Sequence, residues 1–322
     1  MLLIESSDQL QDFLKKGIAD NEKFIAVDTE FIRENLKEPL LCLIQIATTS
    51  DIFIIDPIVV DIAPLNKIFE NTSLTKVFHS AGQDLEILSF VGINTKNFYD
   101  TQLYEAVLSV NANISYQSIV FRYLNKEISK TLTRSNWKKR PLQKKQLLYS
   151  ANDVFYLREV YEKQLEKLTT YGRRNWLDDE LKQLFSKENE VPVALSKNNL
   201  EIYNQLNKWR EEKALEKNIS PEFIVKNHLI KAICQKGVNF IRNIKNSRNV
   251  RNAHFREFLF FAEKVAEKLE IKERSAEQNT VINLLLMLRE MCSLEHNVAP
   301  SIIATSRDLE NLAAGDRNVK CL

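Results

Sequence analysis

The chain has 322 residues and nearly balanced charge, with 45 lysines and arginines against 43 aspartates and glutamates. Its length predicts about two domains, and no apolar stretch is long enough to span a bilayer, which argues against a helical membrane protein. The N-terminus lacks the basic region of a secretory signal, and Cys42, Cys234, Cys292 and Cys321 are far apart, as expected of reduced thiols in a cytoplasmic protein rather than a disulfide framework.

Leu2-Leu3-Ile4 reads as a short strand, and Ser7 or Asp8 as the cap of a helix reaching about Ile18, with Leu10, Phe13 and Leu14 on its apolar face. Phe24-Ile25-Ala26-Val27-Asp28-Thr29-Glu30-Phe31 is a strand ending in two acids. Leu40 to Ala47 and Ile52 to Pro57 are two more strands, and the short links predict an antiparallel meander of the three. Pro64 to Phe69 is helical, Lys76 to His79 a strand, and Asp84 to Val91 a helix ending at Gly92. From there to about Lys187 the pattern is mainly helical. Apolar residues recur at helical spacing in Leu147, Leu148, Ala151, Val154, Phe155 and Leu157. Strands followed by helices predict an α/β domain with helices packed on a mixed sheet. Lys187 to Pro192 reads as a linker, and beyond it the pattern is all helical.

Three segments carry candidate chemistry. Asp28 and Glu30 lie two apart on a strand and so share a face. Two carboxylates held that close repel, and a hard divalent cation relieves the repulsion. In His79-Ser80-Ala81-Gly82-Gln83-Asp84 a strand gives way to a helix. Taken singly, Asp84 reads as a helix cap and His79 as a hydrogen-bonded structural residue. Tyr149 and Asp153 lie four apart, on one helical face that borders Leu157, and alone would pass for a surface pair. Together the segments offer four carboxylates, Asp28, Glu30, Asp84 and Asp153, with no lysine or arginine beside the first three within their own segments. Two divalent metals would resolve that charge, and a pair about 4 Å apart clamps an in-line phosphoryl displacement. Tyr149, with an ordinary pKa of about 10, is a poor base and better suited to aiming a water.

The order Asp-x-Glu, Asp, Tyr-x-x-x-Asp resembles the DEDDy branch of the 3′–5′ exonucleases, which has a ribonuclease H-like fold. More closely, the chain resembles the ribonuclease D family. The resemblance is carried by Asp28 to Phe31, Leu41 to Ala47, His79 with Asp84, and Trp137 to Leu142 followed by Gln146, Tyr149 and Asp153. It implies hydrolysis of single nucleotides from RNA 3′ ends, with tRNA precursors as substrate and two ions, Mg2+ or Mn2+, as cofactors. It assigns metal binding to Asp28, Glu30, Asp84 and Asp153 and water orientation to Tyr149. Phe31 would stack on the terminal base or pack in the core. Trp137 and Arg140 stand beside the site, where Arg140 would meet a phosphate or serve the structure. Between Arg33 and Pro39 the chain reads Glu-Asn-Leu-Lys-Glu, where the family has a Thr-Tyr pair.

Tyr203-x-x-Leu206-x-x-Trp209-Arg210-x-x-x-Ala214 resembles the helicase-and-ribonuclease-D C-terminal domain, with Leu206, Trp209 and Ala214 read as core. The expected division is an exonuclease domain over 1–190, a helical domain over 196–275, and a second, degenerate or truncated one over 276–322. Two windows lack acids. Residues 128–152 carry seven bases, and residues 223–256 carry eight, among them Lys226, Lys231, Arg242 and Lys245. Such windows favour a polyanion partner; no membrane or protein partner is implied. Two other readings stay open: the same chemistry on DNA, since sugar choice leaves no mark in the sequence, and a non-catalytic RNA-binding module.

Overall fold

The structure, a computed structural model, describes all residues except 34–38, 112, 129–134, 175, 177–196, 218, 220, 247–252, 270–275 and 317–322. The loop after Arg33, the linker at Lys187 to Pro192 and the C-terminal residues from Val319 lie outside the described residues. The chain divides into two compact units, one holding a sheet and its helices, the other helical.

Six strands form one mixed sheet in the order β1-β4-β3-β2-β5-β6. They are β1 (Leu2–Ile4), β2 (Phe24–Ile32), β3 (Leu40–Ala47), β4 (Ile52–Ile55), β5 (Thr75–Phe78) and β6 (Phe98–Asp100). The expected antiparallel meander is β2-β3-β4; β1 joins β4 in parallel, and β5 and β6 add in parallel beyond β2. The runs are rich in β-branched and aromatic residues, which suit a pleated surface covered on both sides. On one face Ile25, Val27, Ile44, Ile46 and Phe53 pack with Leu10 and Phe13 of α1 (Ser7–Lys16) and Ile87 and Leu88 of α3 (Gly82–Phe90). On the other face Leu43 and Ile54 pack with Trp137 and with Ala151 of α6 (Lys144–Thr170). The short helices α2 (Asn66–Phe69), α4 (Thr101–Ala106) and α5 (Tyr116–Leu124) complete this unit.

Several local expectations change. The cap of α1 is Ser6, whose hydroxyl accepts from the Gln9 N–H at 3.3 Å, rather than Ser7 or Asp8. Helix α3 begins at Gly82, with Ala81 at its cap position, so Asp84 sits within the first turn and does not cap. Strand β6 lies in a stretch expected to be helical. Three residues carry too little periodicity to announce a strand, and β6 exists through its pairing with β5.

The helical unit contains α7 (Lys197–Lys217), α8 (Pro221–Ile224), α9 (Asn227–Asn246), α10 (Ala253–Leu269), α11 (Ala276–His296), α12 (Pro300–Ile303) and α13 (Ser306–Ala313). Leu206 and Ala214 are buried in its core, and Trp209 packs on Phe258 and Phe261 with ring centroids 5.6 and 5.7 Å away. Gly237, at φ 74° and ψ −167°, interrupts α9 in a conformation open to glycine and strained for other residues. Two cations of the second basic window are matched by acids in space. Arg242 donates to Glu263 and Glu267 at 2.9 and 2.7 Å, and Lys245 pairs with Glu263, all acids of α10.

Candidate active site

Strand β2 runs out of the sheet's centre at Asp28 and Glu30, both facing α6 by strand alternation. Helix α6 lies across β2, β3 and β4 and brings Asp153 down onto that pair. One carboxylate oxygen from each of Asp28, Glu30 and Asp153 lies within 4.8 Å of the others. Asp84 enters from the first turn of α3. It is 7% exposed, and the Thr29 hydroxyl donates to it at 2.5 Å. All four acids and Tyr149 line one cleft of about 540 Å³, together with Phe31, His79, Tyr116 and Gln117. Among the described residues, none that lines it is a lysine or arginine.

The electrostatics follow from that composition. Burial, then repulsion from Asp84, Asp153 and Glu30, holds the Asp28 carboxyl well above its usual range. Burial with repulsion from Asp153 and Asp84 pushes Glu30 up to about 9. Burial raises Asp153 to about 7 and Asp84 to about 6, the latter opposed by the Thr29 hydroxyl. Glu30 therefore keeps its proton near neutral pH unless a cation replaces it, whereas Asp84 is mostly ionised there. The donor set fits a divalent ion: among the described residues there are clustered carboxylate oxygens, no lysine or arginine in the lining, and no competing sulfur or imidazole ligand within the three-acid group.

A model of the 3′–5′ exonuclease family matches residues 1–169, and a model of the HRDC domain matches residues 199–257. Ribonuclease D of Bartonella henselae is 34% identical over 92% of this chain and 79% of that protein. Ribonuclease D of Sphingobium indicum is 33% identical over 98% of this chain and 88% of that protein. The chain belongs to the ribonuclease D family. A crystal structure of Escherichia coli RNase D, described as an exoribonuclease involved in structured RNA processing, shares the fold. Its TM-score is 0.68 at 22% identity, covering all of this chain and 92% of that one. This ribonuclease D relative is accordingly a hydrolase, a 3′–5′ exoribonuclease built on a mixed sheet with a helical region after it.

Within this ribonuclease D framework the three expected substrate contacts separate. Phe31 lines the cleft with part of its ring and packs the rest against the core. Trp137 is 2% exposed, its ring centroid 6.1 Å from that of Tyr149, and it has no face to offer RNA. Arg140 spends its guanidinium on the buried Asp56 carboxylate and on the carbonyls of Trp137 and Cys42. The structural alternative for Arg140 is the one its bonds satisfy, and Trp137 supports Tyr149 by packing. His79 engages Thr101 Oγ1 at 2.9 Å through Nδ1 and the Ile114 carbonyl at 3.1 Å through Nε2. Burial lowers its pKa to about 4, so it stands neutral as a brace.

Two residues at the site escape sequence reasoning. Thr29, between the two acids, turns to the opposite face and holds Asp84. Tyr116, on α5, donates its hydroxyl to the Asn152 carbonyl at 2.9 Å, tying α5 to α6 beside Asp153. Tyr116 is 33 residues from Tyr149 and carries no spacing signal.

Proposed function

We propose that Asp28, Glu30, Asp84 and Asp153 hold two divalent ions, Mg2+ or Mn2+, and that the cleft removes mononucleotides from RNA 3′ ends, tRNA precursors among them. The observation that supports this most is the group of three half-buried carboxylates with oxygens within 4.8 Å and, among the described residues, no basic residue lining their cleft. Bound there, divalent ions would offset negative charge at the phosphodiester and lower the pKa of a water. The chain's own residues do the rest. Asp28 and Glu30, fixed by the strand, and Asp153, fixed by the helix, give up their protons on loading. Thr29 fixes the oxygen of Asp84 that it touches. Tyr149, seated against Trp137, hydrogen-bonds the attacking water and sets its line toward the terminal phosphodiester. Phe31 offers a ring at the cleft for the terminal base.

A 3′-end-labelled tRNA precursor, incubated with and without Mg2+ beside DNA of the same sequence, tests the reading. Stepwise loss of 3′ nucleotides from the RNA with metal alone is expected. Trimming in EDTA would remove the metal assignment, and preferential digestion of DNA would replace the substrate.

A further inference from the structure

Gln45 is fully buried on β3, and neither its amide oxygen nor its amide nitrogen has a hydrogen-bond partner among the described residues. A primary amide has two donors and two acceptor lone pairs. Leaving a buried polar group unmet is destabilising, and an apolar residue of the same shape would avoid that cost. An idle glutamine here would be worse than a methionine.

The position of Gln45 indicates what the amide serves. Gln45 stands directly opposite Asp28 in the β2–β3 register. Residues directly opposite on antiparallel strands have Cβ atoms about 4.5–5.5 Å apart on the same face. Leu43, two residues earlier, packs under α6 with Ile54 and Ala151, whereas Ile44 and Ile46 pack on the other face. Alternation therefore places the Gln45 amide in the sealed layer between sheet and α6, beside Asp28 and without access to RNA. The Trp137 indole N–H, another buried donor with no partner among the described residues, belongs to the same layer.

We propose that Gln45 is a positioning residue for Asp28: its amide N–H, across one trapped water, holds the Asp28 carboxylate in the orientation that faces a divalent ion. The proposal rests on Asp28 being a metal ligand. It adds a second interaction behind the ligand, of the kind whose removal weakens metal affinity about 10–100-fold.

The test is calorimetric titration of Mn2+ alone into the full chain, with melting midpoints in EDTA measured in parallel. Gln45→Met is expected to melt at or above the wild-type midpoint in EDTA and to bind Mn2+ about 10–100-fold more weakly. Gln45→Leu, with a different shape, serves if Gln45→Met packs poorly. An unchanged Mn2+ affinity in a folded variant overturns the proposal, as does failure of both variants to fold, which would make the amide structural. Asp28→Asn separates the positioning role from the metal site itself. If it loses Mn2+ while Gln45→Met does not, the positioning role alone fails. If it too binds Mn2+ normally, the metal site and the positioning role fall together.

Discussion

Replacing Asp153 with asparagine removes a charge from a cluster that repels itself. Asp153→Asn is expected to melt in EDTA no lower than wild type, while 3′ trimming falls on the order of 10³-fold or more. Full activity in the variant would release Asp153 from the site. Tyr149→Phe keeps the ring against Trp137 and loses the hydroxyl. A rate loss of about 10²-fold with unchanged RNA affinity is expected from single-turnover kinetics and binding titration. His79 gives a pH signature. Its folded pKa of about 4 lies below the ordinary 6.5, so the unfolded chain takes up a proton first as the medium becomes acid. The stability this group contributes is complete above pH 6.5 and is lost as pH falls from there through about 4. Melting midpoints at pH 7 and pH 5 should therefore converge in His79→Gln relative to wild type. At this scale the sequence reveals what local periodicity controls: Asp28 with Glu30 on a strand, and Tyr149 with Asp153 on a helix. Thr29 and Tyr116 stay hidden because their partners come from α3 and α6, which only tertiary packing brings near.

Among the elements, the join between β4 and α6 depends on Arg140 and Asp56. Asp56 is fully buried, and Arg140 meets both of its oxygens while holding the Cys42 carbonyl on β3. Removing one partner of such a pair strands the other, at a cost of about 3–5 kcal/mol. Arg140→Met should lower the denaturation midpoint accordingly. Arg140→Lys should recover little, since a lysine lacks the fork that serves several acceptors. A wild-type midpoint in Arg140→Met would return Arg140 to the substrate side. The β2-β3-β4 meander is legible because each run is long and the links are short. β6 is not, because it is brief and its pairing with β5 spans a helix.

For the whole molecule, charge placement decides how RNA is held. Lys144 and Lys145 are exposed at the start of α6, one turn before Tyr149. Arg242 and Lys245 of the helical unit are already matched by Glu263 and Glu267, a compensation that a count along the sequence misses. RNA affinity should fall steeply with salt, and each cation withdrawn from the phosphate backbone should flatten the log–log slope by about 0.7 for single strands. Lys144→Ala with Lys145→Ala is expected to flatten it more than Arg242→Ala with Lys245→Ala, as read from binding isotherms across a salt series. The reverse order would place the principal grip on the helical unit. We propose the three-part division, 1–190, 196–275 and 276–322, as the domain organisation of the chain.

Because two of the acids sit on a strand and a third on the helix laid across it, the cage closes only when that helix docks in register. A slip of one helical turn, about 5.4 Å, would carry Asp153 out of reach. If those acids hold the ions as proposed, the site doubles as a gauge of its own assembly: a copy whose α6 has not settled onto the sheet would lack a ligand from Asp153.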